Sequence, residues 1–422
     1  MDKFIIKGGK KLQGSVFVSA SKNAYLPILA GCILAEKPIV LQDCPHYIDI
    51  KNMCKILENL GGKISCNNDL TIDCSSLKSN FIPQDLASVI RSSIFSLGSI
   101  LGRFKSAKVA YPGGCEIGVR PIDLHIKGLE ALNVKIVDKH GYLSCDGSDM
   151  KGGKVNLDFP SVGATENIML AAVLTKGETE IINAAKEPEI VDLANFLNGL
   201  GAKIYGAGTS KIRVVGVKKI NGGNYCPMPD RIIAGTYLIA GIMAGGEIEI
   251  KNFRADDNSA LLEKVKNCCN IKVENDILTL RADGRCKAIN KIETSPYPGF
   301  PTDLQSQILT LQTISKGSSM IVENLFETRF KHVPELVKMG ANIFVKDRTA
   351  VVRGVDRLYG AEVSASDLRG GASLVLAGLV ADGYTTVNNV RHIDRGYFEL
   401  EKHLSALGAE IKRVWYEFFE KT

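Results

Sequence analysis

The sequence predicts an α/β protein of two domains, each holding three copies of one strand–helix–strand–helix–strand–strand unit. Three observations carry that expectation. The phrase Leu57-Glu58-Asn59-Leu60-Gly61-Gly62-Lys63-Ile64 recurs with variation along the chain, at Leu132-Asn133-Val134-Lys135-Ile136, Leu200-Gly201-Ala202-Lys203-Ile204, Cys269-Asn270-Ile271-Lys272-Val273, Met339-Gly340-Ala341-Asn342-Ile343 and Leu407-Gly408-Ala409-Glu410-Ile411. Aligned on positions 60, 132, 200, 269, 339 and 407, the copies are separated by 72, 68, 69, 70 and 68 residues, a regularity that marks a true internal repeat. Within each copy the apolar spacing switches between helical and strand periods. The unit is also longer than the ~20–50 residues of most solenoid repeats, which favours closed domains over an open array.

The first copy shows the reading in order. An apolar helix, Ala24–Glu36, leads into a short strand, Ile39–Gln42. An amphipathic helix, Ile48–Leu60, follows and stops at glycine, the residue that a left-handed helix cap favours. Two alternating strands, Lys63–Ser65 and Leu70–Asp73, close the unit. The six copies divide as three plus three, with chain breakers near Gly222–Pro229 at the midpoint and a second break near Ser19–Lys22. The expected domains are 22–228, and 1–21 together with 229–422, joined by a two-stranded hinge. A ligand is expected at the cleft between them.

With 422 residues, 45% apolar and 23% charged, the chain has the composition of an ordinary globular protein. Its net charge of +6 suits anionic small molecules, and no Lys/Arg block with interleaved aromatics marks a nucleic-acid surface. The stretches Leu26–Leu34 and Leu374–Leu379 fall short of the ~20 residues that span a bilayer. Met1–Lys7 has no signal-peptide core, so a cytoplasmic protein without membrane attachment is expected. The 11 cysteines are scattered, with no CxxC pair and no zinc spacing, and most are expected to be buried, reduced thiols.

Several segments carry residues suited to chemistry. Tyr111-Pro112-Gly113-Gly114-Cys115-Glu116-Ile117-Gly118-Val119-Arg120-Pro121 has the glycines of a mobile lid and the prolines to bound it. Cys115 sits there near Arg120, a setting that favours thiolate, although a loop cysteine is often incidental. Asp123 then opens the helix Leu124–Leu132. Lys22, in Ser19-Ala20-Ser21-Lys22-Asn23-Ala24, adds a cation to a helix start that already attracts anions; lysines at such places are commonly just solvated. Ser161 and Gly163, in Phe159-Pro160-Ser161-Val162-Gly163-Ala164-Thr165-Glu166-Asn167, suit backbone contacts to a diphosphate or an ordinary serine cap. In the second half, Asp303 of Phe300-Pro301-Thr302-Asp303 and Asp367 of Ser366-Asp367-Leu368-Arg369 read as helix caps. Arg369 and Arg395, the latter in His392-Ile393-Asp394-Arg395-Gly396-Tyr397, suit carboxylate or phosphate, and equally suit structural ion pairs.

Taken together and in this order, these motifs closely resemble the enolpyruvyl transferases, and among them the members that act on UDP-N-acetylglucosamine. The resemblance extends through Asn183–Asp192 and Arg329-Phe330-Lys331-His332-Val333-Pro334-Glu335-Leu336, and so covers essentially the whole chain. The cysteine loop is its specific part, because the sister enzyme of the shikimate pathway has no equivalent. The resemblance implies an inside-out α/β barrel in each domain. It also implies transfer of the enolpyruvyl group of phosphoenolpyruvate to the sugar 3′-hydroxyl, by addition and then elimination of phosphate, in the first committed step of peptidoglycan synthesis.

Carried over residue by residue, the resemblance makes Cys115 the proton donor to C3 and Asp303 the base, or the group that orients the hydroxyl. Lys22, Arg120 and Arg395 become the clamp on phosphate and carboxylate, with Arg91, Arg329 and Arg369 close by. Pro121, Ile122, Asp123 and Leu124 would cradle the uridine, Ser161, Val162 and Gly163 the diphosphate, and Asn23 and Leu325 the sugar, with Asp367 among the substrate contacts. No metal or organic cofactor is implied. The chain departs from the common pattern at Ala20-Ser21, Phe159 and Ile233-Ala234, which bears on affinity more than on the acid, base or clamp. Three rivals are weaker. The shikimate-pathway transferase is opposed by the Cys115 loop, a non-catalytic nucleotide-sugar binder by the full set of catalytic residues, and RNA 3′-end cyclisation by the six-unit length.

Overall fold

Six helices are so apolar on every side that none can face water. They are Lys22–Cys32 (α1), Phe95–Phe104 (α2), Val162–Val173 (α3), Arg231–Ala244 (α4), Gln305–Ile314 (α5) and Leu368–Val380 (α6), and nearly every side chain on them is buried. A helix of that kind belongs in the middle of a core. The computed structural model describes residues 2–113 and 121–415 and puts them there. The described residues form two compact units, 20–113 with 121–228, and 2–19 with 229–415. In the first, α1, α2 and α3 pack on one another; in the second, α4, α5 and α6 do.

Each unit wraps its three helices in three separate four-stranded sheets. The repeat is plainest at Lys154–Asn156, α3, Glu178–Ile182, Pro188–Gly199, Lys203–Tyr205 and Lys211–Val215, which is strand, helix, strand, helix, strand, strand. The first two strands run parallel, Val155 opposite Ile181, as a connection through a buried helix requires. The last strand lies between the second and third, antiparallel to both. All six sheets share this plan. Their strands alternate buried and exposed positions, as in Glu178–Ile182, so one face of each sheet meets the core and the other meets solvent. Helices inside and sheets outside is the inside-out arrangement expected. The sheets stay distinct, and no sheet among the described residues closes into a continuous barrel.

Three sheets borrow a strand from elsewhere in the chain. Lys3–Lys7 enters the last sheet, between Tyr384–Asn388 and Glu410–Val414. Leu12–Phe17 adds in parallel to Gly246–Lys251 and completes the first repeat of the same unit. Gly223–Tyr225, in the segment read as chain breakers, is a strand instead and adds in parallel to Ile39–Leu41. Its glycine and asparagine are tolerated because it is a three-residue edge strand. Each unit ties its own ends together, Asp230 N donating to Ser19 O at 2.9 Å in one and Ser21 N donating to Met228 O at 2.7 Å in the other.

Helix ends shift slightly from expectation. The first helix begins at Lys22, because the Ser21 hydroxyl accepts from Ala24 N (3.3 Å) and so caps it. The amphipathic helix runs Ile48–Asn59, and Gly61 follows at φ +103°, the left-handed conformation that its place demands. The cysteines are less buried than composition suggested. Of the ten described, Cys32, Cys74, Cys145 and Cys286 are buried, while Cys66 and Cys226 are exposed; all ten are free thiols.

Candidate active site

Of the residues singled out in the unit of residues 20–113 and 121–228, Lys22 and Asn23 stand at the start of α1 and Ser161, Val162 and Gly163 at the start of α3, while Arg91 opens a 3₁₀ turn and Pro121 and Ile122 lead into the helix Asp123–Glu130. Lys22 opens α1, and it is not the solvated lysine that its position alone suggests. Its side chain is buried, and Nζ lies 3.0 Å from Oδ2 of Asp49, itself buried in the first turn of Ile48–Asn59. A buried ammonium requires such a counter-charge, because leaving water uncompensated is costly for either ion. Tyr47 Oη donates to Ala20 O (3.4 Å), which fastens the segment carrying Asp49 to the approach to α1. Asn23 follows Lys22 and is half-buried.

At α3, Ser161 is the helix cap that the plainer reading foresaw, its hydroxyl accepting from Ala164 N at 3.3 Å. Val162 and Gly163 form the first turn and are half-buried, with backbone N–H groups at a helix start. A Cβ on Gly163 would meet Phe95 at 3.1 Å and the His125 ring at 3.3 Å, so a larger residue would push into that ring. Asn167 orients the ring from behind. Its Oδ1 accepts from Gly98 N (2.7 Å), so its amide nitrogen faces His125 Nδ1 at 3.0 Å and donates to it. A neutral His125 therefore carries its proton on Nε2. Pro121 and Asp123 are exposed, Leu124 is half-buried and Ile122 is buried. Asp123 begins the helix Asp123–Glu130, shorter than expected. Arg91 donates from Nη2 to Pro121 O at 3.5 Å. Cys115 and Arg120 lie outside the described residues.

The other unit holds a charged cluster of its own. Asp303 was read as a helix cap; instead it sits inside the short 3₁₀ turn Thr302–Leu304, with its carboxylate committed to two arginines. Oδ1 accepts from Arg329 Nη2 (2.7 Å), and Oδ2 accepts from Arg369 Nη2 (2.9 Å) and Nε (3.3 Å). Both guanidinium groups are almost wholly buried, and charges so placed outcompete backbone N–H groups for the half-buried Asp303 carboxylate. Asp367 is a true cap, accepting from Arg369 N (3.0 Å) and Gly370 N (2.9 Å), and it thereby fixes the root of Arg369. Burial works against the charge on Arg369, but Asp303, Tyr397 and Asp230 outweigh it and hold the group cationic.

Tyr397 is also fixed from behind. Thr236 donates its hydroxyl proton to Ile232 O, and Gln307 donates an amide N–H to Tyr397 Oη, so Tyr397 donates to Thr236. Its ring lies 5.4 Å from the Arg369 guanidinium carbon. Arg395, half-buried, is two residues away in the turn leading to Tyr397. Leu325 N donates to Glu323 Oε1 (2.8 Å), and the other oxygen of that buried glutamate accepts from Thr302 Oγ1 beside Asp303 (2.9 Å). His332 is packed against Gly370, and burial drives its imidazole pKa down to about 4, more than Asp367 restores, so the ring is neutral. In short, this unit offers a carboxylate held between two fixed guanidinium groups, able to orient a hydroxyl and to bind an anion.

The profile of EPSP synthase (3-phosphoshikimate 1-carboxyvinyltransferase) matches residues 6–404. The chain belongs to the EPSP synthase family. Among its relatives, the UDP-N-acetylglucosamine 1-carboxyvinyltransferase 2 of Caldanaerobacter subterraneus subsp. tengcongensis is 50% identical over 98% of this chain and 100% of that protein. The UDP-N-acetylglucosamine 1-carboxyvinyltransferase of Serratia proteamaculans is 47% identical over 98% and 99%. The enolpyruvyl transferase NikO from Streptomyces tendae superposes with a TM-score of 0.87 at 23% identity, covering 99% of each chain. EPSP synthase from Acinetobacter baumannii gives 0.74 at 16% identity, covering 98% of this chain and 100% of that one. These two likenesses establish the fold.

For an EPSP synthase-family chain, sequence reading located Lys22 and the Arg–Asp–Arg residues but missed several side chains that pack around them or around the starts of the helices. Asp49, Glu323, Thr236, Gln307 and His125 were not singled out, because each meets a partner 21 or more residues away: Lys22, Thr302, Tyr397, Tyr397 again and Asn167. Glu166 is another such case. Burial, then Glu189 and Glu187, push its pKa well above the usual carboxylate range. Among the described residues no cluster of His, Cys, Asp and Glu suits a metal ion.

Proposed function

We propose that this chain transfers the enolpyruvyl group of phosphoenolpyruvate to the 3′-hydroxyl of UDP-N-acetylglucosamine and releases phosphate, the first committed step of peptidoglycan synthesis. The observation that carries the reading is near-full-length identity of 46–50% to proteins bearing that activity in their names. The shikimate-pathway reading is weaker, since the EPSP synthase structures share only 16–17% identity with the chain.

In this reading Cys115 gives a proton to C3 of phosphoenolpyruvate, an enol phosphate, while the sugar oxygen bonds to C2 and yields its proton to Asp303. The Cys115 thiolate then takes a proton back from C3, the C2–O bond to phosphate breaks as phosphate leaves with the bonding pair, and the C2–C3 double bond reforms. A thiol with an ordinary pKa of ~8.5 can serve as such an acid near neutrality. Lys22, Arg120 and Arg395, with Arg91, Arg329 and Arg369, stabilise the anionic donor and the departing phosphate. Groups that are already oriented do this without reorganising during the reaction, as Arg369 is by Asp303, Asp367 and Tyr397. Pro121, Ile122, Asp123 and Leu124 receive the uridine, Ser161, Val162 and Gly163 the diphosphate, and Asn23 and Leu325 the sugar, with Asp367 among the substrate contacts. The reaction belongs to the cytoplasm, in keeping with described helices none of which is long and apolar enough to cross a membrane.

The test is phosphate release from phosphoenolpyruvate. Release that depends on UDP-N-acetylglucosamine, and that shikimate 3-phosphate cannot elicit, supports the reading. Release with shikimate 3-phosphate alone refutes it.

A further inference from the structure

One sheet carries an outer face unlike those of the others. Its strands lie side by side in the order Lys291–Glu293, Ser318–Val322, Thr349–Arg353 and Asn342–Lys346. The register sets Lys291, Met320, Val351 and Phe344 in one row across the sheet. Glu293, Val322, Thr349 and Lys346 form the next row that faces the same way. Ile292, Ile321, Ala350 and Val352 alternate with these residues and are buried in the core, so both rows belong to the solvent face. There Met320 is 41%, Val351 38% and Phe344 66% exposed.

In each of the other five sheets, the three positions that match Met320, Val351 and Phe344 include a polar or charged side chain, as in Glu180, Arg213 and Tyr205 or in Glu249, Thr279 and Lys272. An apolar row with charged residues at its margin is the pattern of an interaction surface.

We propose that this face pairs with the same face of a second copy of the chain, about a two-fold axis that runs along the strands between Ser318–Val322 and Thr349–Arg353. That operation lays each row on itself, reversed from end to end. Met320 then meets the partner's Val351, and Lys291 meets the ring of the partner's Phe344 as a cation–π contact. Glu293 meets the partner's Lys346, and every one of these contacts occurs twice. The Glu293 carboxylate is already oriented, with Lys291 Nζ at 2.6 Å from Oε2 and Asn324 Nδ2 donating to Oε1 at 3.0 Å. A two-fold axis along the apolar row would instead set Lys291 against the partner's Lys291, and like charge opposes it. Four strands of this length cover about 14 Å by 17 Å. That is less than the ~800 Å² per partner of a stable interface, so monomer and dimer exchange, with a dissociation constant on the order of tens of micromolar.

Sedimentation equilibrium of the full chain, from about 5 to about 300 µM, tests this. The weight-average mass should rise with concentration from 45.7 kDa towards twice that value. Glu293→Lys alone, or Lys346→Glu alone, sets like charges together at both ends of the interface and should weaken association by ~10-fold or more. The double variant Glu293→Lys with Lys346→Glu restores opposite charges and should associate within a few-fold of the wild-type protein. Both side chains are exposed, and circular dichroism confirms that each variant is folded. A mass that stays at the monomer value throughout would overturn the proposal and leave the face to a different protein. A dimer that neither single variant weakens would place the interface elsewhere, and single losses that the double variant does not recover would refute the two-fold pairing of Glu293 with Lys346.

Discussion

Asp303 and Arg369 are joined through one carboxylate oxygen, Oδ2, which lies 2.9 Å from Nη2 and 3.3 Å from Nε, while Oδ1 is left to Arg329 at 2.7 Å. One carboxylate thus fixes two buried cations, and its partly exposed face keeps it within reach of a ligand. The variant Asp303→Asn keeps the shape but loses the charge. Turnover should fall by ~10²–10⁴, the usual loss for a general base. Removing one partner of buried ions should also cost about 3 kcal/mol in urea unfolding. Affinity for UDP-N-acetylglucosamine, read by calorimetry, should stay within a few-fold. Activity close to wild type would leave Asp303 as an anchor for the arginines and nothing more.

Lys22 and Asp49 should be energetically coupled. A double-mutant cycle with Lys22→Ala and Asp49→Ala, followed by urea unfolding, should give an interaction of about 1–3 kcal/mol, as for neighbouring charges that share burial. Each single variant removes one half of a buried ion pair, so the two single losses should sum to more than the loss in the double variant. Additive losses would mean that the pair does not persist in solution.

His332 gives the protein an acid-sensitive limb. Its pKa is about 4 in the fold against ~6.5 when unfolded, so below ~6.5 the unfolded chain takes up a proton that the fold refuses. Stability from this group is complete above ~6.5 and falls by about 1.4 kcal/mol per pH unit toward pH 4. The variant His332→Gln should flatten that limb. In the wild-type protein, the NMR signals of this ring should not titrate between pH 7 and 5; a midpoint near 6.5 would refute the neutral buried ring.

Cys115 should be the cysteine that the epoxide-phosphonate fosfomycin labels, since its phosphonate resembles the phosphate of phosphoenolpyruvate and Lys22, Arg120 and Arg395 would hold it near the thiol. Bound UDP-N-acetylglucosamine should speed labelling. The variant Cys115→Asp should escape labelling yet keep some turnover, and Cys115→Ser should keep less, a hydroxyl being the weaker acid. Peptide mass mapping reads the first outcome, and phosphate release the second. Adduct on any of the other ten cysteines would falsify the assignment.

The repeat was legible because it is written locally. Glycine after the amphipathic helix, as at Gly61, reports a left-handed cap, and apolar runs such as Arg231–Ala244 report a helix with no wet face. The candidate site was legible as a set of residue types, but Asp303 was misread as a cap because an acid before a helix has that role by default. Only the presence of Arg329 and Arg369 decides otherwise, and they lie 26 and 66 residues along the chain.

The sequence by itself therefore determined the six-fold unit, the order of its strands and helices, and the identity of the groups able to do chemistry, because periodicity and turn chemistry act between near neighbours. Tertiary structure alone decided that Lys3–Lys7 would sit as an inner strand of the last sheet, that Asp49 would answer Lys22, and that Tyr397 would back Arg369. Each of these is a pairing across long stretches of chain. Its energy comes from excluding water around both partners at once, a condition that neither partner's local sequence can express.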